Sequence, residues 1–203
     1  KVLQFGEGNF LRAFVDYMID IANETGDFNG DIVLVKPIEF GTLDLFHKQE
    51  CQYTVQLRGI VDGEAKRINR VVTSVTDVVD AYGEYEKYAA FAKLDTLRFI
   101  VSNTTEAGIV YDDTDRFELN PPKTYPGKLT KFLYERYKTL NPKAPEEIIH
   151  DRIRQDLRNA AQGATSSGVV LTNKKVIDKL YGIDNLPIIR SHEVDHALHI
   201  PIR

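Results

Sequence analysis

The sequence predicts an α/β fold, a parallel sheet with crossover helices, and three observations carry that prediction. A short apolar run, Val2 to Phe5, ends at Gly6 and passes straight into a long helical pattern. A second run, Asp31 to Val35, reads DIVLV with no polar alternation, as a strand buried on both faces does. A helical stretch and a third apolar run, LRFIVSNT from Leu97, follow later. Strand, helix, strand, then helix and strand is the order that builds parallel sheets.

Each element has its own signal. In the first helix Phe10, Phe14, Met18 and Ile21 recur at helical spacing, with Leu11, Val15 and Ile19 beside them, so this stripe is expected to face the core. The polar, Gly-rich stretch from Thr25 to Gly30 breaks that helix, and Pro37 stops the strand after it. Tyr53 to Ile60 and Glu64 to Val72 flank Val61-Asp62-Gly63, where Asp-Gly signals a hairpin. A Tyr- and Ala-rich helix is expected over Glu84 to Lys93, with Tyr82, Tyr85, Tyr88 and Phe91 packing rather than forming a binding platform. Another helix starts at Tyr125 and runs to about Tyr137, with Pro126 in its first turn. Two prolines between Asn141 and Pro145 mark the expected boundary. Residues 1–141 then form the main domain, and 142–203 form a short tail of unassigned mixed α/β structure.

Composition excludes several function classes. Of the 203 residues 42 % are hydrophobic and 28 % charged, enough apolar side chains to bury a core. A net charge of −4 supplies no field that would gather nucleic acid or an anionic membrane. No apolar run approaches the ~20 residues that span a bilayer. The lone cysteine, Cys51, rules out an intrachain disulfide framework and favours a reducing, cytoplasmic setting. The chain opens on a strand residue, KVLQF, so it is expected to be a piece of a longer protein.

The chemistry concentrates in QFGEGNFLRAF, which sets Gly6 and Gly8 between a strand and a helix. A dinucleotide pyrophosphate sits at such a turn, because glycines let backbone approach the phosphates and the free amides of the helix start stabilise the anion. The three-glycine fingerprint is incomplete, with Leu11 at the third position, so an ordinary two-glycine turn stays an equal reading of these residues alone.

KVLQFGEGNFLRAFVDYMID resembles the opening of the long-chain polyol dehydrogenase family of mannitol dehydrogenases and sugar-acid reductases. That family uses G-x-G-N-F at this turn, matched here by Gly6, Gly8, Asn9 and Phe10. VLVKPIE (Val33 to Glu39), SNTTEAGI (Ser102 to Ile109) and YPGKLTKFLYERY (Tyr125 to Tyr137) follow in the expected order, and the resemblance covers residues 1 to about 140. It implies a Rossmann-like domain binding a nicotinamide dinucleotide, NAD in the sugar-acid branch. It also implies reversible hydride transfer between tagaturonate and altronate, a step of hexuronate metabolism.

Asn103 and Thr104 lie just past a strand's carboxyl end, where ligands of open parallel sheets bind. They suit a nicotinamide amide, with a cap on the next helix as the alternative. Glu39, the first acid after the second strand, is the candidate for the ribose hydroxyls. Glu39 as a plain solvated side chain, and Lys36 as a reader of a 2′-phosphate and hence of NADP, stay open.

A ketone reductase needs an acid at the carbonyl oxygen. The resembled family supplies a lysine from Lys-x-x-x-x-Asn-x-x-His in its second domain, and no lysine here has that spacing. Catalytic residues are thus unassigned, and the chain is expected to bind cofactor and sugar acid without completing catalysis. The tail holds HEVDHALH, in which His192, His196 and His199 share one helix face and match H-E-x-x-H. A zinc-dependent hydrolase centred there is the alternative, opposed by the absence of accompanying motifs and by Pro201 just beyond.

Overall fold

A computed structural model of the chain describes residues 1–26, 28–102, 112, 114–140, 142–143, 145–149 and 188–190. Strands β1 (Val2–Phe5), β2 (Ile32–Lys36), β5 (Val75–Asp80), β6 (Phe99–Ser102) and β7 (Ile188–Arg190) form one sheet in the order β5-β2-β1-β6-β7. Every pairing in it is parallel. The antiparallel hairpin β3 (Tyr53–Val61) and β4 (Glu64–Val72) stands apart as a two-stranded ribbon. Its turn at Asp62 and Gly63 has φ of 56° and 80°, the left-handed pair that an Asp-Gly hairpin requires.

Side-chain alternation along the strands divides the core into two layers. Leu3, Phe5, Val33, Val35 and Val79 point to one face, where helix α3 (Tyr85–Ala90) and helix α4 (Tyr125–Leu140) cover them. There Tyr88 stacks on Phe132 at 5.2 Å between centroids, and Phe5 meets Tyr125 at 5.3 Å. The expected packing role of Tyr85 and Tyr88 holds. Arg136 of α4 is buried in this layer and donates to the carbonyls of Ala92, Leu94 and Leu97, which end the α3 segment. Val2, Ile32, Leu34 and Val78 point to the other face, packed with Leu11, Leu43, Val55 and Val72. The short helix α2 (Asp44–Lys48) and strand β5 are absent from the sequence expectations.

The first helix corrects a second expectation. Helix α1 covers residues 9–25 as Asn9–Leu11, a π-helical segment Arg12–Asp16, and Tyr17–Thr25. A π-helical segment inserts an extra residue into the turn and rotates everything after it. The buried residues are therefore Leu11, Asp16 and Asp20, while Phe10, Met18 and Ile21 lie exposed. An inward face carrying two carboxylates survives only because each has partners. Asp20 accepts from the amides of Thr73 and Ser74 at 2.7 and 2.9 Å and from Arg70 at 2.6 Å. These bonds fasten α1 to the base of the hairpin and to the start of β5. No helix among the described residues is long and apolar enough to cross a membrane.

Candidate functional site

The strand order places the chain's reversal of direction at β1. The chain fills β1, β2 and β5 on one side, then crosses to β6 on the other. In open parallel sheets the usual ligand position lies beyond the carboxyl ends of the strands that flank such a reversal, here β1 and β6.

The Gly6–Gly8 turn lies at the carboxyl end of β1, between that strand and α1. Gly6 donates to the Val35 carbonyl at 3.0 Å, carrying the sheet ladder one residue past β1. Its φ of 111° is a conformation that side-chain-bearing residues rarely adopt. Gly8 serves another purpose. Its φ of −69° and ψ of 161° suit any residue, and a Cβ built there meets nothing within 4 Å. Gly8 also caps α1 and gives its first amides no side-chain hydrogen bond. Open space above free amide donors at a helix start fits a pyrophosphate.

Asn9 is exposed, and its side-chain oxygen accepts from the Arg12 guanidinium. Arg12 itself lies over the rings of Phe46 and Tyr53, at 5.3 and 5.2 Å from their centroids. Phe10 is 48 % exposed beside Phe14, at the rim of the turn rather than in the core. Gly6, Gly8, Asn9 and Phe10 thus share the turn and the start of α1.

The loop after β2 is shaped by Lys36. Its side chain is 2 % exposed and its ammonium meets the carbonyls of Ile38 and Glu39 at 2.9 and 3.0 Å and the Asp80 carboxylate at 3.0 Å. Burial alone would push the Asp80 carboxyl up; the Tyr82 and Gly83 amides and the Lys36 charge hold it below the usual carboxylate range. Lys36 is therefore spent inside the protein and presents no charge to a 2′-phosphate. Glu39 keeps an exposed side chain on the loop that Lys36 ties down. Asn103 and Thr104 lie outside the described residues, as do His192, His196 and His199. The residue before Asn103, Ser102, ends β6 opposite Phe5. Among the described residues no cluster of three or more His, Cys, Asp or Glu could hold a metal.

A known family shares this arrangement. The mannitol dehydrogenase Rossmann domain matches residues 1–178. The chain belongs to the mannitol dehydrogenase family. That match runs past the Asn141–Pro145 segment, and β7, later still, pairs with β6 in the same sheet. Within the family the chain is similar to the altronate oxidoreductase of Bacillus subtilis (strain 168), 49 % identical over 137 residues. It is also similar to that of Phocaeicola vulgatus, 43 % identical over 141 residues. These alignments take in 68 % and 70 % of this chain, which spans only 28 % and 29 % of the two relatives. Among solved structures, a Pseudomonas fluorescens mannitol 2-dehydrogenase in ternary complex with NAD and D-mannitol aligns at a TM-score of 0.56 with 17 % identity. The alignment covers 92 % of this chain and 46 % of that one. A substrate-free D-sorbitol dehydrogenase aligns at 0.52 with 16 % identity, covering 92 % and 47 %. Both show the shared fold.

Within this family member, sequence reasoning missed the buried role of Lys36 and the part played by Asp80, Asp16 and Tyr53. Lys36 had one available signal: it closes the apolar run IVLVK, where a lysine must find acceptors or break the strand.

Proposed function

We propose that this chain is the cofactor-binding part of an NAD-dependent oxidoreductase that interconverts tagaturonate and altronate. The observation that carries the reading is the helix start at Gly8, without a side-chain cap and with open space where a Cβ would stand, at the carboxyl end of β1. Family membership and the altronate oxidoreductases at 43–49 % identity support the sugar-acid substrate. The solved relative that carries NAD supports the cofactor.

In this reading the amides from Gly8 onward hold the pyrophosphate, and Gly6 supplies the bend that presents them. Glu39 accepts hydrogen bonds from the ribose hydroxyls and repels a 2′-phosphate, which favours NAD over NADP. Asn103 and Thr104 position the nicotinamide amide. Bound there, the nicotinamide supplies or removes the hydride at the sugar-acid carbonyl carbon. The proton for the carbonyl oxygen needs an acid, and none of the chain's lysines stands in the family's Lys-x-x-x-x-Asn-x-x-His spacing. The 203 residues therefore bind cofactor and turn over little by themselves.

Titration with NADH, followed by its fluorescence, tests the reading. Saturable binding in the micromolar range, weaker for NADPH, and no tagaturonate-dependent oxidation of NADH are expected. Failure to bind NADH at millimolar concentration would end the cofactor assignment, and robust tagaturonate reduction would end the claim of incomplete catalysis.

Lys36→Met gives a sharper result. It leaves Asp80 without its cation and the 38–40 carbonyls without a donor, so the Glu39 loop loosens. NADH affinity is expected to fall about tenfold, and the preference for NADH over NADPH to shrink, at a stability cost of about 2 kcal/mol. Parallel titrations with the two cofactors measure both changes; an unaltered preference would remove Lys36 from the specificity argument.

A further inference from the structure

The β3–β4 hairpin takes no part in the cofactor site. Its base is anchored: Val55 and Val72 are buried in the α1 layer, and Arg70 reaches Asp20. Beyond the base, every residue from the Gln56/Asn69 pair to the Val61/Glu64 pair is exposed. A two-stranded ribbon standing alone in water is marginally stable, and its edges offer unpaired amides and carbonyls. With 9 residues in each strand, the ribbon is about 30 Å long.

A ribbon built only to be solvated would keep its apolar side chains on the anchored face. Alternation sets Leu57 opposite Ile68 on the face of Val55 and Val72, and these two are 37 % and 53 % exposed. The other face carries Ile60, 78 % exposed, and Val71, 53 % exposed. That second face also sets Arg58 directly opposite Arg67. Like charges so placed oppose the pairing of the strands. Arg58 donates from Nε to Gln56 Oε1 at 2.5 Å, and neither guanidinium meets a carboxylate among the described residues.

The charges indicate what covers such a face. Residues 53–72 hold Arg58, Lys66, Arg67 and Arg70 against Asp62 and Glu64, a net +2 in a chain of net charge −4, so the other residues carry −6. A basic, apolar arm thus projects from an acidic chain, and a second copy supplies the opposite charge. Acid and apolar groups come together in the segment 40–50, after β2. Phe40 is 78 % exposed and Leu45 68 %, and with Ile60 these are the most exposed large hydrophobic residues among the described ones. The exposed acids Asp44 and Glu50 outnumber the one lysine of the segment, Lys48.

We infer that the β3–β4 hairpin is a dimerisation arm: its Arg58, Ile60 and Arg67 face docks on the segment 40–50 of a second copy of this chain, and the partner's arm returns the contact by two-fold symmetry. The match is apolar for Ile60 against Phe40 and Leu45, and ionic for Arg58 and Arg67 against Asp44 and Glu50. Covering the two guanidiniums with carboxylates relieves the repulsion between them and fixes the register of the docked arm. The dimer is independent of the cofactor assignment, because none of these residues is placed in the dinucleotide site.

Sedimentation equilibrium of the unaltered chain is the experiment. A reversible dimer is expected, with Kd in the micromolar range and weakened about tenfold between about 0.05 and about 0.5 M salt. Arg58→Glu with Arg67→Glu sets acid against acid at both contacts, and Asp44→Lys with Glu50→Lys sets base against base. Each paired variant is expected to raise Kd by about tenfold or more. An equimolar mixture of the two restores association, since arm and segment are then opposite in charge at both contacts. All four sites are exposed, and the arm exchanges one like-charged pair for another, so circular dichroism melts check that folding is kept. A chain that stays monomeric at about 100 µM overturns the inference. So does a dimer that neither paired variant weakens, or a mixture that fails to associate. Should the paired variants fail to fold, a dimer left intact by Ile60→Glu still decides against the arm.

Discussion

Gly8→Val abolishes NADH binding and leaves the chain folded. The backbone at Gly8 is extended and admits any side chain, and a Cβ there meets nothing within 4 Å. The fold therefore loses only a tolerable helix cap, with stability changed by about 1 kcal/mol or less. The valine branches stand in the space assigned to the pyrophosphate, which cannot approach the α1 amides past them. A loss of roughly a hundredfold or more in affinity is expected, about 2.7 kcal/mol or above. Circular dichroism melts and NADH fluorescence on one preparation separate folding from binding. A variant that binds NADH as the unaltered chain does would place the dinucleotide elsewhere. Gly6→Val is a poorer probe, since a φ of 111° makes it a test of folding first.

Asp20→Ala should be the most destabilising single change in the α1 layer. The side chain is buried and receives the Thr73 amide and hydroxyl, the Ser74 amide and the Arg70 guanidinium. Truncation strands two amides and leaves Arg70 only the exposed Glu24 carboxylate as a partner, for a cost of about 3 kcal/mol. Urea denaturation at neutral pH measures it; a loss below about 1 kcal/mol would mean that water replaces the carboxylate easily. The pH dependence follows from the direction of its shift. Burial would raise the Asp20 carboxyl, but the Thr73 and Arg70 hydrogen bonds bring it below its ordinary value of 3.8. Its contribution is present above the unfolded value and is lost as pH falls through the folded one. Asp16 has the opposite sign, since its folded value of about 7 lies above the unfolded one. Its contribution is complete in acid and disappears as pH rises through about 7. On these two groups stability should therefore be greatest at about pH 4 and decline from there to about pH 7, and Asp16→Asn should flatten that decline.

Local patterns revealed the elements whose causes are local. DIVLV reads as a buried strand and is one, and the Asp62-Gly63 turn joins β3 to β4 with both residues left-handed, as that dipeptide predicts. The glycine turn was legible for the same reason, because each glycine answers a backbone or space requirement at its own position. Strand β5, VTDVVD, escaped because two aspartates interrupt a short apolar run, and only its pairing with β2 makes it a strand. Asp16 and Asp20 escaped because their partners stand 37 residues away at Tyr53 and 53 and 54 away at Thr73 and Ser74. Periodicity pointed to the stripe of Phe10, Met18 and Ile21 as the inward face, and the π-helical segment then turned that stripe outward.

By itself, then, the sequence determined the parallel α/β order, the place of the glycine turn and the family to which the chain belongs, since all three rest on contiguous residues. Tertiary structure alone decided which face of α1 turns inward, that Lys36 is spent on its own loop rather than on a ligand, and that Asp16 of α1 meets Tyr53 of β3. The physical reason is that a charge enters a core only when acceptors or donors from distant segments meet it there, and one segment's pattern cannot report where another segment's groups will stand.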